Sequence, residues 1–528
     1  MISALTHARI QTALRDNDIV AAGNLSETAI STGEQDEMLY SLAVQRRLLA
    51  GDGGGAIALT REAAKCAPLN PTLLAMAGDA MRTTGQLQEA ITFFDKCIAI
   101  EPFNVSAWYG RALALASSGN LAEAALSFEH VCELAPDTAP GFAGLASVQA
   151  RNGDIEAARQ NAERAAAISP DDFNTILGLA CCDTAAGQSV AAAAGLRRLA
   201  EKTNLPADDR VTALGLLGDT LDSLGEHDAA FDCYARANAV FAKAHVPKTD
   251  APAVTAVING VTDAISRLTP AIVSGTRNLD AVNKAQHVFL LGFPRSGTTL
   301  VEQVLATIPG VQASEEAPTF GPAHWAYFSE ERIAELWSLD NAEIEHLRDT
   351  YWQSVATAGI TLNGGTYVDM DPFKGAALPL IARLFPRAKI VIVRRDPRDT
   401  VWSCFRRNFV HSPSTYELSS LTRAANYYAA TMGLMGRTLE TFELDHHTLH
   451  YEDLVRDFDQ TTKALCTFLK LPWGEDLRDF STTARAHPVK TVSANQVRKT
   501  LFDGTGQWKA HAKHLEPIMP VLLPWIRG

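Results

Sequence analysis

The sequence predicts two folds in series. An α-solenoid of paired helices is expected over residues 1–243. A connecting helix and linker follow at 244–286. An α/β domain with a parallel sheet is expected over 287–528. Three observations carry this. Turn residues recur at a fixed 34-residue interval through the first half. Apolar strand-like runs alternate with helical segments through the second. One of those runs, VFLLG, opens directly into a glycine-bounded loop and then a helix.

The repeats come first. Gly51, Gly85, Gly119, Gly153 and Gly187 are each 34 residues apart, and Pro68, Pro102, Pro136 and Pro170 keep the same interval. Two phased series of turn residues with this period resemble the tetratricopeptide repeat (TPR), a helix–turn–helix unit. Trp108, Gly119, Ala124 and Phe128 fall at that pattern's places, as do Gly78, Gly85, Ala90 and Phe94 in the preceding unit. Small residues at Gly78 and Ala90 let paired helices approach. Phe94 and Phe128 fill the space between repeats, and each proline stops a helix. From Gly187 to Gly225 the interval lengthens to 38, with the extra residues expected in the turn Lys202–Asp209. LGEHDAAFDCYARANAVF (224–241) reads as the second helix of a last repeat. Six or seven repeats are expected, the first weakest because Asn17 stands where glycine would be. Such arrays make an extended surface for peptides or proteins; packing on the second domain or self-association is an equal alternative. Residues 250–269 read as one further helix, and NLDAVNKAQ (278–286) as a polar link.

The bulk numbers agree with this division. At 528 residues more than one core is expected. An apolar content of 47% excludes wholesale disorder. No run of about 18 apolar residues predicts a membrane span, and the N-terminus lacks the pattern of a signal peptide. The eight cysteines show no metal-binding spacing, so neither disulfides nor zinc are expected and a cytoplasmic setting fits. Residues 1–270 hold 20 Lys+Arg against 32 Asp+Glu, which argues against nucleic acid as a partner.

The second domain carries the chemistry. After Val288–Leu291, the loop Gly292-Phe293-Pro294-Arg295-Ser296-Gly297-Thr298-Thr299 leads into the helical LVEQVLATI. Strand, glycine loop and helix point backbone N–H groups at an anion. The frame resembles a P-loop, but Thr298 stands where an NTP-binding loop needs lysine, and the cation is Arg295 within the loop. A mixed region follows, then TYVDM, LPLIARLF and KIVIVRR. The last strand runs into RRDPRDTVWSCFRR, with five arginines in fourteen residues, a composition suited to a phosphate monoester.

PRSGTTL and RRDPRDTVWSCFRR, in that order, resemble the two phosphate-binding elements of the sulfotransferases, which use 3′-phosphoadenosine 5′-phosphosulfate (PAPS). The nearest patterns are those of the tyrosylprotein sulfotransferases and the bacterial TPR-sulfotransferases, over about residues 286–510. The resemblance implies a P-loop-like sulfotransferase domain moving a sulfuryl group from PAPS to a hydroxyl-bearing acceptor, without a metal. Arg295, Ser296, Gly297, Thr298 and Thr299 would bind the 5′ side. Arg395, Ser403 and Arg407 would bind the 3′-phosphate, with Asp396 bracing the arginines. Tyr451 matches a family tyrosine near the nucleotide, or is a core tyrosine at a strand end. Ser493, Gln496, Val497 and Lys499 match the family's Ser-x-x-Gln-Val segment, and GQWKAH (506–511), with Lys509, its tryptophan-containing loop. Glu316, second of the pair Glu315-Glu316, corresponds to the family's base; a solvated pair at a helix start is the plainer reading. In VDMDPFKG (368–375) the family has lysine where this chain has Met370. Lys374, four residues on, is the candidate replacement, and otherwise Arg295 and Ser493 would neutralise the leaving group. Two other functions stand beside sulfate transfer: a TPR scaffold whose sulfotransferase-like domain binds nucleotide but turns over little, and a P-loop kinase or ATPase, which Thr298 disfavours.

Overall fold

The computed structural model describes residues 2–50, 52–66, 68–202, 204–246, 252–268, 286–362, 364–482 and 501–527. They form two compact units, Met1–Glu226 and His227–Gly528. No helix among the described residues is long and apolar enough to cross a membrane.

The first unit is a run of antiparallel helices. A further 34-residue series sets their starts: Asp36, Asn70, Asn104 and Asp172 each cap a helix by accepting from a backbone N–H of its first turn. Thr138 keeps the place in the series without a side-chain cap bond. Gly85, Gly119, Gly153 and Gly187 have φ between 75° and 97°, the left-handed turn after each first helix. Asn17 adopts the same conformation, φ 57°, so the first repeat has its turn after all. Asparagine is one of the few side chains that tolerates it. Close helix approach is explicit at Phe94: a Cβ on Gly78 would lie 2.6 Å from its ring, and one on Gly110 2.4 Å.

The lengthened interval is a finding against expectation. It is not spent in a turn. Helix Ala207–Ser223 has 17 residues, against 13 in the equivalent helices Val105–Ser117 and Phe173–Ala185. Pro206 precedes it, and Asp208 and Asp209 in its first turn favour one more turn of helix. By packing, the chain divides between Glu226 and His227, ahead of the boundary at 243 expected from sequence. Helix His227–Ala244 packs within the second unit: Phe231 stacks on Phe405 at 5.6 Å, and Asn238 Nδ2 donates to the Phe405 carbonyl at 2.7 Å. Helix Val254–Ser266 lies against helix Leu421–Phe442 in the same unit.

The second unit is built on a five-stranded parallel sheet: β1 Gln286–Gly292, β2 Val311–Glu315, β3 Thr366–Met370, β4 Lys389–Arg394 and β5 His446–His450, in the order β2-β3-β1-β4-β5. β2 lay in the region read as mixed. It has five residues, including Gln312, Ser314 and Glu315, and only Ser314 is fully buried. One face of the sheet packs Val288, Leu290, Val368, Val391 and Val393 against helices Thr298–Ala306 and Phe458–Leu469. The other carries an aromatic cluster of His287, Phe289, Phe320, Tyr351 and Phe385.

Candidate active site

In a parallel sheet ligands bind beyond the carboxyl ends of the strands, where the strand order reverses. Here that point lies between β1 and β4. β1 ends at Gly292, and the loop after it is tightly determined. Gly297 has φ 108°, and a Cβ there would sit 2.8 Å from Cδ2 of Tyr451. Only glycine satisfies both the angle and the approach. Arg295 takes φ 70°, an unusual conformation for a side-chain-bearing residue and one that tends to persist at binding sites. Cys404 Sγ donates to the Pro294 carbonyl at 3.2 Å and backs the loop from below. Thr298 and Thr299 are buried at the start of helix Thr298–Ala306. Ser296 Oγ is buried with no hydrogen-bond partner among the described residues.

The second loop leaves β4. Asp396 caps helix Pro397–Phe405 by accepting from the Arg398 N–H, and its carboxylate also holds the Arg398 guanidinium at 2.6 Å. The expected bracing role of Asp396 thus has a geometry, directed at Arg398. Ser403, on the same helix, accepts from Arg295 Nε at 3.1 Å. Arg395 Nη1 donates to the Arg295 carbonyl at 3.2 Å, Nη2 donates to the Gly504 carbonyl, and the guanidinium lies 4.9 Å from the centre of the Tyr451 ring. Tyr451 donates to the Phe502 carbonyl at 2.7 Å. Burial, then the charges of Arg407, Arg395 and Arg406, push Arg295 down to about 10. That depression records a buried guanidinium beside others of the same charge, an environment suited to an anion.

These groups line a cleft open to solvent, of about 560 Å³ with its open mouth included. Arg295, Gly297, Thr299, Arg395, Ser403 and Tyr451 line it together with Leu300, Phe480, Phe502, Gly504 and Gln507. Six residues singled out from sequence therefore meet in one place. Arg407 is half-buried just past the helix that carries Ser403. Lys509 is exposed, on the short helix Gln507–His511, and does not line the cleft. Ser493, Gln496, Val497 and Lys499 lie outside the described residues. Phe480, Phe502 and Gly504 carried no signal in the sequence, because nothing local marks a residue that reaches the site from a distant segment.

Glu315 ends β2, and Glu316 follows it with φ 50°, its N–H bonded to the Met370 carbonyl at 2.8 Å. The pair stands at a strand end, five residues ahead of helix Gly321–Tyr327, and not at a helix start. Glu316 is exposed. Lys374, the candidate replacement for a lysine at Met370, is directed elsewhere. Met370 ends β3 and is wholly buried in the apolar face. Lys374 opens a 3₁₀ helix and pairs with Asp369, whose side chain alternates to the opposite face. Asp369 also accepts from Tyr351 at 2.8 Å and Thr319 at 2.9 Å, and Lys374 is not among the residues lining the cleft. His287 Nε2 meets the Tyr351 hydroxyl at 2.8 Å, and burial pushes His287 down to about 3. A neutral imidazole donating from Nε2 fits, since Tyr351 donates onward to Asp369.

Comparison with known proteins agrees with this geometry. Residues 287–475 match the sulfotransferase family, and residues 71–104 and 105–138 match the tetratricopeptide repeat. An uncharacterized protein of Aquifex aeolicus is 25% identical over 349 residues, covering 62% of this chain and 43% of its own. Protein-tyrosine sulfotransferase 1 of Danio rerio is 28% identical over 204 residues, covering 36% and 54%, and the Homo sapiens protein of that name is 28% identical over 207 residues, covering 36% and 52%. The chain thus spans about half the length of the curated relatives it matches. Among solved structures, a tetratricopeptide repeat protein from Parabacteroides merdae aligns with a TM-score of 0.38 at 16% identity, over 44% of this chain and 91% of its own. With two phosphate-suited loops at the switch point of its sheet and repeats ahead of them, the chain is similar to the sulfotransferase family over residues 287–475 and to the tetratricopeptide repeat over 71–138.

Proposed function

We propose that the protein transfers the sulfuryl group of PAPS to a hydroxyl or phenol, releasing adenosine 3′,5′-bisphosphate. The observation that carries this is the joining of the two arginine-bearing loops, from β1 and β4, around one cleft. PAPS carries a phosphosulfate at one end and a phosphate monoester at the other, and so needs two cationic sites. The residues fit: Ser296 Oγ lacks a partner among the described residues, and Arg295 is buried beside the like charges of Arg407, Arg395 and Arg406.

In this reading Arg295 and the loop through Thr299 hold the 5′ side. Arg395, Ser403 and Arg407 hold the 3′-phosphate beside Tyr451, and Ser493, Gln496, Val497 and Lys499 would complete the nucleotide site. The acceptor oxygen forms a bond to sulfur as the sulfur–oxygen bond to the 5′-phosphate breaks. Glu316 takes the acceptor's proton. The charge left on the phosphate falls to Arg295, the loop N–H groups and Ser493, since Met370 has no charge and Lys374 is paired with Asp369. The repeats would present a peptide or protein bearing the acceptor.

A scaffold that binds nucleotide with little turnover is the second reading, favoured by the apolar burial of Met370. Incubating the chain with PAPS carrying labelled sulfate and a cell extract separates the two. Label appearing in an acceptor supports transfer. Binding of adenosine 3′,5′-bisphosphate with no labelled product supports the scaffold.

A further inference from the structure

The cleft has one wall that belongs to neither phosphate loop. Residues 502–508 form it, and Phe502, Gly504 and Gln507 line the cleft. Five ties hold this strap. Tyr451 donates to the Phe502 carbonyl at 2.7 Å, and Gly504 N–H donates back to the Tyr451 hydroxyl at 3.2 Å. Arg395 donates to the Gly504 carbonyl, and Arg406 donates to Gln507 Oε1 at 2.9 Å. Arg398 lies 4.0 Å from the centre of the Trp508 ring. Every one of these involves a group that a bound nucleotide would disturb or a cation already shared with Asp396.

Asp399 is different. It sits in the first turn of helix Pro397–Phe405 and is 1% exposed. Its Oδ2 accepts from the Gly506 N–H at 2.7 Å and its Oδ1 from the Trp508 N–H at 3.0 Å. Both carboxylate oxygens are thus used on the strap's backbone. A buried carboxylate meeting two N–H donors makes charge-assisted bonds of the stronger kind. Because Asp399 lies in the first turn of the helix that follows Arg395 and its cap Asp396, it ties the strap to the start of the arginine loop's helix.

We infer that Asp399 is a positioning residue: by pinning the Gly506 and Trp508 backbone it holds the strap against the second arginine loop, and so sets the selectivity of the cleft for a nucleotide with a phosphate on both ribose ends. This rests on the proposed PAPS reading. Its role is exerted through Arg395 and the strap, with no contact to the ligand itself.

The test is calorimetry on the full chain with adenosine 3′,5′-bisphosphate and with AMP. The unaltered chain should prefer the bisphosphate. In Asp399→Asn one acceptor is replaced by an N–H facing an N–H, and the bisphosphate should weaken about tenfold while AMP changes less than about twofold. Gln507→Ala, which removes a strap tie at the rim, should move the same ratio in the same direction by less, and serves if Asp399→Asn does not fold. Asp399→Glu should recover part of the preference. Equal affinity for both ligands in the unaltered chain overturns the PAPS reading and this inference with it. A preference in the unaltered chain that survives in Asp399→Asn, or in Gln507→Ala should the former not fold, overturns this inference alone, as does equal weakening of both ligands.

Discussion

In the repeat unit Phe94 is caged by Gly78 and Gly110, each sixteen residues away along the chain. In the C-terminal unit Arg395 reaches back to the Arg295 carbonyl and forward to Gly504, separations of 100 and 109 residues. The first arrangement repeats with the sequence and is decided by nearest neighbours. The second occurs once and requires the sheet to be complete. Their charges differ in the same way. Ion pairs of the repeats such as Arg61–Glu89 and Arg197–Glu226 are half-exposed and worth at most about 1 kcal/mol each. Asp369–Lys374 is buried among Tyr351 and Thr319, where removal of one partner strands a charge. One unit is tuned for tolerance and reach, the other for a fixed arrangement of polar groups.

The sharpest way to test that contrast is at Glu316. Glu316→Gln should lower sulfate transfer by about 10²–10⁴-fold, the usual size of a lost general base, with adenosine 3′,5′-bisphosphate affinity unchanged. Glu315→Gln should do less. Full transfer by Glu316→Gln, measured with labelled PAPS, would take the base away from this residue.

A smaller effect separates the units by pH. His287 is held neutral, its value pushed down to about 3 by burial, against 6.5 in the unfolded chain. Between those values the unfolded state binds the extra proton, so stability is full above 6.5 and falls as pH drops. The slope approaches about 1.4 kcal/mol per pH unit. Urea unfolding of the C-terminal unit, followed between pH 6 and 4.5, should show this slope, and His287→Gln should flatten it. An unchanged slope would mean that His287 is not the group responsible.

The smallest effect belongs to the repeats. A Cβ on Gly144 would lie 2.3 Å from Cε1 of Phe128, so Gly144→Ala should destabilise the repeat unit by about 1–3 kcal/mol through overpacking. Calorimetric melting would register it as a lowered transition of the repeat unit, and nucleotide affinity should stay where it was. A change in affinity would show the two units to be energetically coupled.

What could be read in advance follows the same division. The 34-residue series of glycines and prolines located the repeats, and the structure adds the capping series at 36, 70, 104 and 172 that makes each helix start where it does. At Asn17 the backbone conformation is what matters, and asparagine supplies it as glycine would. In the second unit the loop at 292–299 and the arginines at 394–407 were legible because each is a contiguous segment with its own chemistry. β2 was not, because a short edge strand with alternating polar residues has no signature of its own.

The sequence by itself determined the repeat architecture, the parallel α/β domain and the two phosphate-suited loops, since period, apolar runs and local charge are properties of neighbouring residues. Tertiary structure alone decided which of those residues share a cleft, that Lys374 is committed to Asp369 while Met370 is sealed in the core, that Phe502 and Gly504 line the cleft, and that Asp399 bonds the backbone beside them. The physical reason is that strand order and side-chain alternation assign each residue to a face and an end of the sheet, and neither is written in the spacing of residues along the chain.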